Sequence, residues 1–460
     1  MGPSLLLRAR GLDSVVSLRL PGVAGADRID GEVAVVESVV DDDAIVERVA
    51  GLDVGKEEVV CCVRVPDRAG RGRRRRGQEV RTFTTMTGSL MRLGDWLREL
   101  GVTRVVMEAT GDYWKPVFYV LEAAGLDPWL VNAKHVKHLP GRPKTDKLDA
   151  VWLAKLAERQ MLRPSFVPPP PLRQLRDLTR YRCDLVVVRN AEKQRVEKLL
   201  EDAGVKLSVV ASDIFGVSGR DMLEALLAGQ RDPVALADLA RGRMRGKTPR
   251  LREAFEGRFG EHHAYLLTKM VRHIDQIDAE IADLDTRVEA VIAPFAEITS
   301  AVARLDEIPG IGTVAAVAII AEIGTDMSRF PTGGHLCSWA GFAPLANESA
   351  GRSKARSTGH GNKYLARMLG DAVAGASRTN TFLGARYGRL VRRRGKKKAI
   401  VAVARSMLMI IWHLLNDPED HYSELGADWY QTRRSLTNRV NTHVRQLQAL
   451  GYSVTLKPAA

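Results

Sequence analysis

From residue 49 onward the apolar positions change period repeatedly, and each change marks an element. Residues 49–52 and 58–65 are rich in β-branched side chains and read as strands. The run Arg-Gly-Arg-Arg-Arg-Arg-Gly at 71–77 reads as a hairpin loop and residues 79–85 as a third strand. Residues 89–100 and 114–124 carry helical spacing, with short apolar strands at 104–107 and 128–131. Three strands in meander followed by alternating helices and strands predict an α/β unit, a mixed sheet covered by helices.

Beyond a proline-rich stretch at 164–171, read as a stiff linker, helical patterns take over. Residues 172–203 form one long charged helix and residues 265–291 a second. In the second, Leu267, Met270, Ile274, Ile277, Ile281, Leu284, Val288 and Val291 alternate spacings of three and four, the seam of a coiled coil. Such a seam packs against the rest of its own chain or pairs across a dimer. A last, all-α unit begins near Ile308-Pro-Gly-Ile-Gly312, which reads as a helix-hairpin-helix-like turn or a plain tight turn, and a short helix is expected in the tail after His421. The predicted divisions are an extension at 1–48, an α/β domain at 49–163, a linker and long-helix region at 164–302, a helical domain at 303–417 and a tail at 418–460.

Composition narrows the partners. In 460 residues, 69 Lys and Arg against 55 Asp and Glu give a net charge of +14, which favours a polyanion. The longest apolar stretch, 399–415, is broken by Arg405 and His413 and reads as a buried helix, and the N-terminal Leu5-Leu6-Leu7 is too short for a signal-peptide core. A membrane is therefore not the expected partner. Cys61, Cys62, Cys183 and Cys337 have no metal-knuckle spacing and suit a reducing cytoplasm, near the nucleoid if DNA is the partner. Aromatic residues, at 6%, give little support to base stacking. The cationic run at 392–398 suits a nucleic-acid backbone.

Four acids stand out. Asp53 follows an apolar strand and precedes Val54-Gly55. Glu108 follows the strand at 104–107, where open α/β sheets place ligands. Asp146 and Asp149 lie three apart at a helix start, on one side of it. Each has a plain alternative: a turn Asp, an exposed Glu, and a helix cap with its capping-box partner. Together on one sheet edge they would repel unless a cation joined them, and Mg²⁺ or Mn²⁺ prefers such oxygen ligands. Arg142 and Lys144 lie just upstream, placed to hold a phosphate.

These residues carry a resemblance. Gly51-Leu-Asp-Val-Gly-Lys56, Met107-Glu-Ala-Thr-Gly111 and Gly141-Arg-Pro-Lys-Thr-Asp-Lys-Leu-Asp-Ala150 resemble the DEDD signature of the insertion sequence family 110 transposases. Leu305-Asp-Glu-Ile-Pro-Gly-Ile-Gly312, Ser338-Trp-Ala-Gly-Phe-Ala-Pro344, Gly359-His-Gly-Asn-Lys363 and Arg392-Arg-Arg-Gly-Lys-Lys-Lys-Ala-Ile400 resemble its second domain. The resemblance implies a ribonuclease-H-like, resolvase-like first domain and a recombinase that cuts and rejoins DNA. It further implies a metal site of Asp53, Glu108, Asp146 and Asp149, a serine nucleophile from the second domain, a homo-oligomer (dimer or tetramer), and a structured bridge RNA as guide. In the family the serine is usually followed directly by Gly. Here Ala350 separates Ser349 from Gly351, so Ser349 is the first candidate, with Ser357 and Ser353 behind it. The runner-up function is a Holliday-junction resolvase-type nuclease using water on the same carboxylates. An actin-like kinase would need a second phosphate loop that the sequence lacks, and a non-catalytic nucleic-acid binder would leave the carboxylates unexplained.

Overall fold

The computed structural model describes residues 4–7, 16–19, 45–66, 76–109, 111–132, 145–344, 348–349, 352–353, 358–359, 361–432 and 436–456. Two units form, one from residues 24–167 and one from residues 1–23 with 168–460. Within the N-terminal extension, Ser4–Leu7 (β1) and Val16–Arg19 (β2) pair antiparallel, an element the sequence reading did not include.

The α/β unit is built on Val49–Val54 (β3), Glu58–Pro66 (β4), Arg76–Thr84 (β5), Arg104–Glu108 (β6) and Pro128–Val131 (β7), in the sheet order β5-β4-β3-β6-β7. The pairs β3–β4 and β4–β5 are antiparallel, whereas β3–β6 and β6–β7 are parallel, which makes the sheet mixed. The basic run places Arg76 and Gly77 at the start of β5, and its first residues lie outside the described set. Strand alternation assigns the two faces. Ala50, Leu52, Val105 and Met107 pack with Leu90, Leu93 and Leu97 of Thr87–Glu99 (α1) and Val117 and Leu121 of Trp114–Ala123 (α2). On the opposite face, Val49 and Val106 meet Leu153 and Leu156 of Asp146–Glu158 (α3), and Val60 and Cys62 meet Ala150 and Ala154. With both faces covered, β3 is buried almost throughout.

The helical unit begins with Pro170–Asp202 (α4), whose first turn takes up Pro170 and Pro171, the end of the expected linker. Four short helices, Leu207–Val210 (α5), Val217–Leu227 (α6), Pro233–Asp238 (α7) and Thr248–Ala254 (α8), lead to Glu261–Ile292 (α9). Helices α4 and α9 run antiparallel, laced by Arg182–Asp285 at 2.5 Å and Arg189–Asp278 at 2.6 Å. The seam of α9 packs within the chain. Leu267 and Ile274 join a core with the short helices, Ile277 and Ile281 meet Leu185, and Val288 joins the C-terminal core. Met270, Leu284 and Val291 are only half-buried, and Val271 takes the buried position next to Met270.

The C-terminal core comprises Ala296–Asp306 (α10), Thr313–Ile323 (α11), Gly333–Trp339 (α12), Lys363–Ala376 (α13), Phe382–Arg394 (α14) and Lys396–Asn416 (α15). Helix α15 is long and apolar enough to cross a membrane, but Val403, Ala404, Met407, Leu408, Ile411 and Leu414 are buried in this core. The tail carries the helix Leu436–Ala449.

Candidate active site

Register decides where the four acids go. Parallel pairing sets Gly51 beside Val106 and Leu52 beside Met107, so Asp53 and Glu108 are neighbours one step further. Gly51 and Val106 both lie on the face that α3 covers, and by the strand period of two Asp53 and Glu108 emerge on that face as well. Asp53 is the fifth residue of β3 and Glu108 the last of β6; both lie inside the strands, not after them, and both are half-buried.

Helix α3 crosses this face antiparallel to β3. Its Ala157 end packs with Val49, and Ala150 and Ala154 lie over Gly51. A Cβ on Gly51 would come within 2.3 Å of Ala154 N and 2.5 Å of Ala150 O, so only glycine admits this approach. Asp149 and Asp146 lie four positions before Leu153 and Ala150, which continues the sheet-facing stripe one turn toward the Asp53 end. The cap is Thr145, whose hydroxyl accepts from Leu148 N at 3.3 Å; Asp146 is the first helical residue and is exposed, which removes the capping alternative. All four acids therefore share one end of one sheet face. Among the described residues no three His, Cys, Asp or Glu side chains stand close enough to cup an ion. The donor set still suits Mg²⁺ or Mn²⁺, since hard cations take carboxylates and the nearby thiol is excluded: burial pushes Cys62 up to about 11. Arg142 and Lys144 lie outside the described residues.

In the helical unit, Ser349 ends a two-residue strand, Glu348–Ser349 (β8), paired antiparallel with Arg352–Ser353 (β9). A bridge from Pro344 to Thr358 closes the same hairpin. Its base is pinned by two glycines: a Cβ on Gly361 would meet Ala340 O at 2.0 Å, and Gly341 adopts a φ of +77°. Ser353 lies across from Glu348 in the ladder, and Ser357 lies outside the described residues.

Around Asn362, the residue after Gly361, sits a cluster that the sequence reading missed. Glu322, 1% exposed, accepts from Arg180 at 2.7 and 2.8 Å and from Asn362 Nδ2 at 2.5 Å. Arg176 lies 3.4 Å from it and donates to Ala321 O and Glu322 O at the end of α11. Asn362 caps α13, accepting from Tyr364 N and Leu365 N, directly after Gly361. The signal was present: Glu322 is the lone acid in the apolar run of α11, and a charge so placed needs a partner.

A mixed sheet with acids at one end, joined in a basic chain to a helical body, suits a nucleic-acid-processing enzyme, and the family comparisons show that class. Family profiles described as a DEDD-type IS110 transposase and as the transposase IS116/IS110/IS902 family match residues 50–204 and 302–388. The transposase for insertion sequence element IS1111A of Coxiella burnetii is 26% identical over 344 residues, covering 70% of this chain and 80% of that protein. The insertion element IS900 42 kDa protein of Mycobacterium paratuberculosis is 26% identical over 400 residues, covering 80% and 95%. The insertion element IS116 44.8 kDa protein of Streptomyces clavuligerus is 24% identical over 351 residues, covering 70% and 84%. The Thermus thermophilus RuvC structure aligns at 17% identity over 26% of this chain and 99% of that one, with a TM-score of 0.21, too low to weigh. The chain belongs to the IS110 family of transposases, and its substrate is DNA.

Proposed function

We propose that this transposase exchanges DNA strands through a protein–DNA ester on Ser349, with Asp53, Glu108, Asp146 and Asp149 as the metal-holding end of the reaction. The observation that carries the reading is the shared position of the four acids at one end of the α3-covered face. In it the Ser349 oxygen attacks the phosphorus, the bond from phosphorus to the deoxyribose oxygen breaks, and the serine proton passes through a carboxylate to that oxygen. A second DNA hydroxyl then attacks the ester and releases the serine, so the bond energy survives until rejoining. A bound Mg²⁺ or Mn²⁺ would stabilise charge on the phosphate and on the attacking and leaving oxygens. The hairpin of β8 and β9 carries Ser349 in its backbone ladder, and close backbone approaches at Gly341 and Gly361 fix the hairpin's base. The backbone N–H groups at the start of α11 suit a DNA phosphate. A structured guide RNA choosing the DNA, a homo-oligomer, and a ribonuclease-H-like, resolvase-like lineage for the sheet belong to the same reading and rest on the family.

The test is trapping on a suicide DNA substrate with peptide mapping. The expected result is DNA attached to Ser349, lost in Ser349→Ala and lost, with strand cleavage, in Asp53→Asn. Attachment at Ser357 or Ser353 moves the nucleophile. Cleavage without any adduct replaces the reading with hydrolysis by water.

A further inference from the structure

The segment between the two family matches, residues 205–301, holds a charge distribution that the reaction above does not use. Between Leu239 and Arg252 the chain carries Arg241, Arg243, Arg245, Lys247, Arg250 and Arg252 and no acid. The stretch folds as a 3-10 turn, Gly242–Lys247, running into α8, and no residue of that turn is buried. Three of the cations are tied down: Arg241 pairs with Asp221 at 2.7 Å, Arg252 pairs with Asp238 at 3.4 Å, and Lys247 donates to Val210 O at 2.8 Å. Arg243, Arg245 and Arg250 are exposed. Half-buried Met244 packs against the core of the short helices and holds the turn in place.

This turn belongs to the cap of the α4–α9 hairpin. Each long helix rises about 1.5 Å per residue, so α9, with 32 residues, sets the cap several tens of ångströms from the C-terminal core. The two long helices carry thirteen acids against eleven Lys and Arg, so the body of the hairpin offers a polyanion no net attraction. The cationic excess is concentrated at its far end.

We infer that the turn at 241–250 is a docking surface for the phosphate backbone of duplex DNA lying away from the recombining bond. Fully charged, exposed guanidiniums on a turn fixed at both ends suit backbone phosphates, with no groove-reading element needed. DNA is favoured because it is the family's substrate, and a second copy of the chain is disfavoured because like charges would meet. The inference rests on DNA as substrate, not on the identity of the nucleophile.

The experiment uses the full chain and compares wild type with combined Arg243→Gln, Arg245→Gln and Arg250→Gln, and with the three Arg→Lys changes. Binding is measured against salt on a duplex of about 40 base pairs, on one of about 12, and on a hairpin RNA. With each phosphate contact contributing about 0.9 to the slope of log affinity against log salt, the Gln protein is expected to lose about 2–3 of that slope on the long duplex. The Lys protein should keep it, the short duplex should barely distinguish the proteins, and thermal unfolding should be unchanged because no core residue is touched. An unchanged slope on the long duplex overturns the inference. A loss confined to the hairpin RNA overturns the assignment to DNA. Adduct formation on a short suicide substrate should persist in the Gln protein, which separates a failure here from a failure of Ser349 as nucleophile.

Discussion

Gly51 and Glu322 lie outside the set of expected site residues, yet Gly51 packs against the helix that carries Asp146 and Asp149, and Glu322 accepts from Asn362 beside the base of the Ser349 hairpin. Gly51 lets α3 lie directly on β3, and through α3 it sets Asp146 and Asp149. Gly51→Ala would drive a methyl into the backbone at Ala150 and Ala154. The expected cost is about 1–3 kcal/mol in urea unfolding, with strand cleavage falling more steeply than DNA binding. Glu322→Ala leaves Arg176 and Arg180 facing a buried gap. A loss of about 3–5 kcal/mol is expected, and unchanged stability would show the cluster to be idle. Burial pushes the thiols of Cys61, Cys62, Cys183 and Cys337 up, to about 11 for Cys62 and Cys337. They stay protonated as pH rises through 8, so mass spectrometry after iodoacetamide treatment should find the native protein unmodified and the urea-unfolded protein alkylated.

At the scale of elements, the α9 seam separates pattern from partner. Its three-and-four spacing called for a packed helix and left open what would cover it; α4 and the short helices do so within one chain. Ile274→Asp with Ile281→Asp places two carboxylates in that contact, and the expected outcome is an unfolded insert, seen as rapid proteolysis between residues 200 and 270. A pair of variants with wild-type resistance would mean that the contact contributes little. The turn at 308–312 is fixed in the same manner. Gly310 has a φ of +91°, and a Cβ there would meet Ala372 O at 2.2 Å, so Gly310→Ala should lower thermal stability by more than a substitution at Gly370, where a Cβ meets nothing within 4 Å.

For the whole molecule, the proposed reaction draws on both units. The four acids belong to the α/β unit and Ser349 to the helical unit, so the proposal expects either unit expressed alone to be inactive in strand exchange. Asp146→Asn tests the fourth carboxylate: loss of cleavage with retained DNA affinity supports it, and wild-type cleavage reduces the set to three.

Local spacing by itself determined most elements, because a period of two or of 3.6 is written directly in which side chains are apolar. Strands 104–108 and 128–131, the long helices and the buried character of α15 were legible for that reason; the four acids stood out only by their residue type beside these elements. Tertiary structure alone decided what depends on distant residues. The parallel register of β3 with β6 makes Asp53 and Glu108 neighbours although 55 positions separate them in the sequence. Arg180 meets Glu322 across 142 positions, and α9 is covered by α4 instead of requiring a second chain. None of these pairings leaves a periodic trace, because a contact between remote segments is set by how whole elements pack and not by the order of residues within either one.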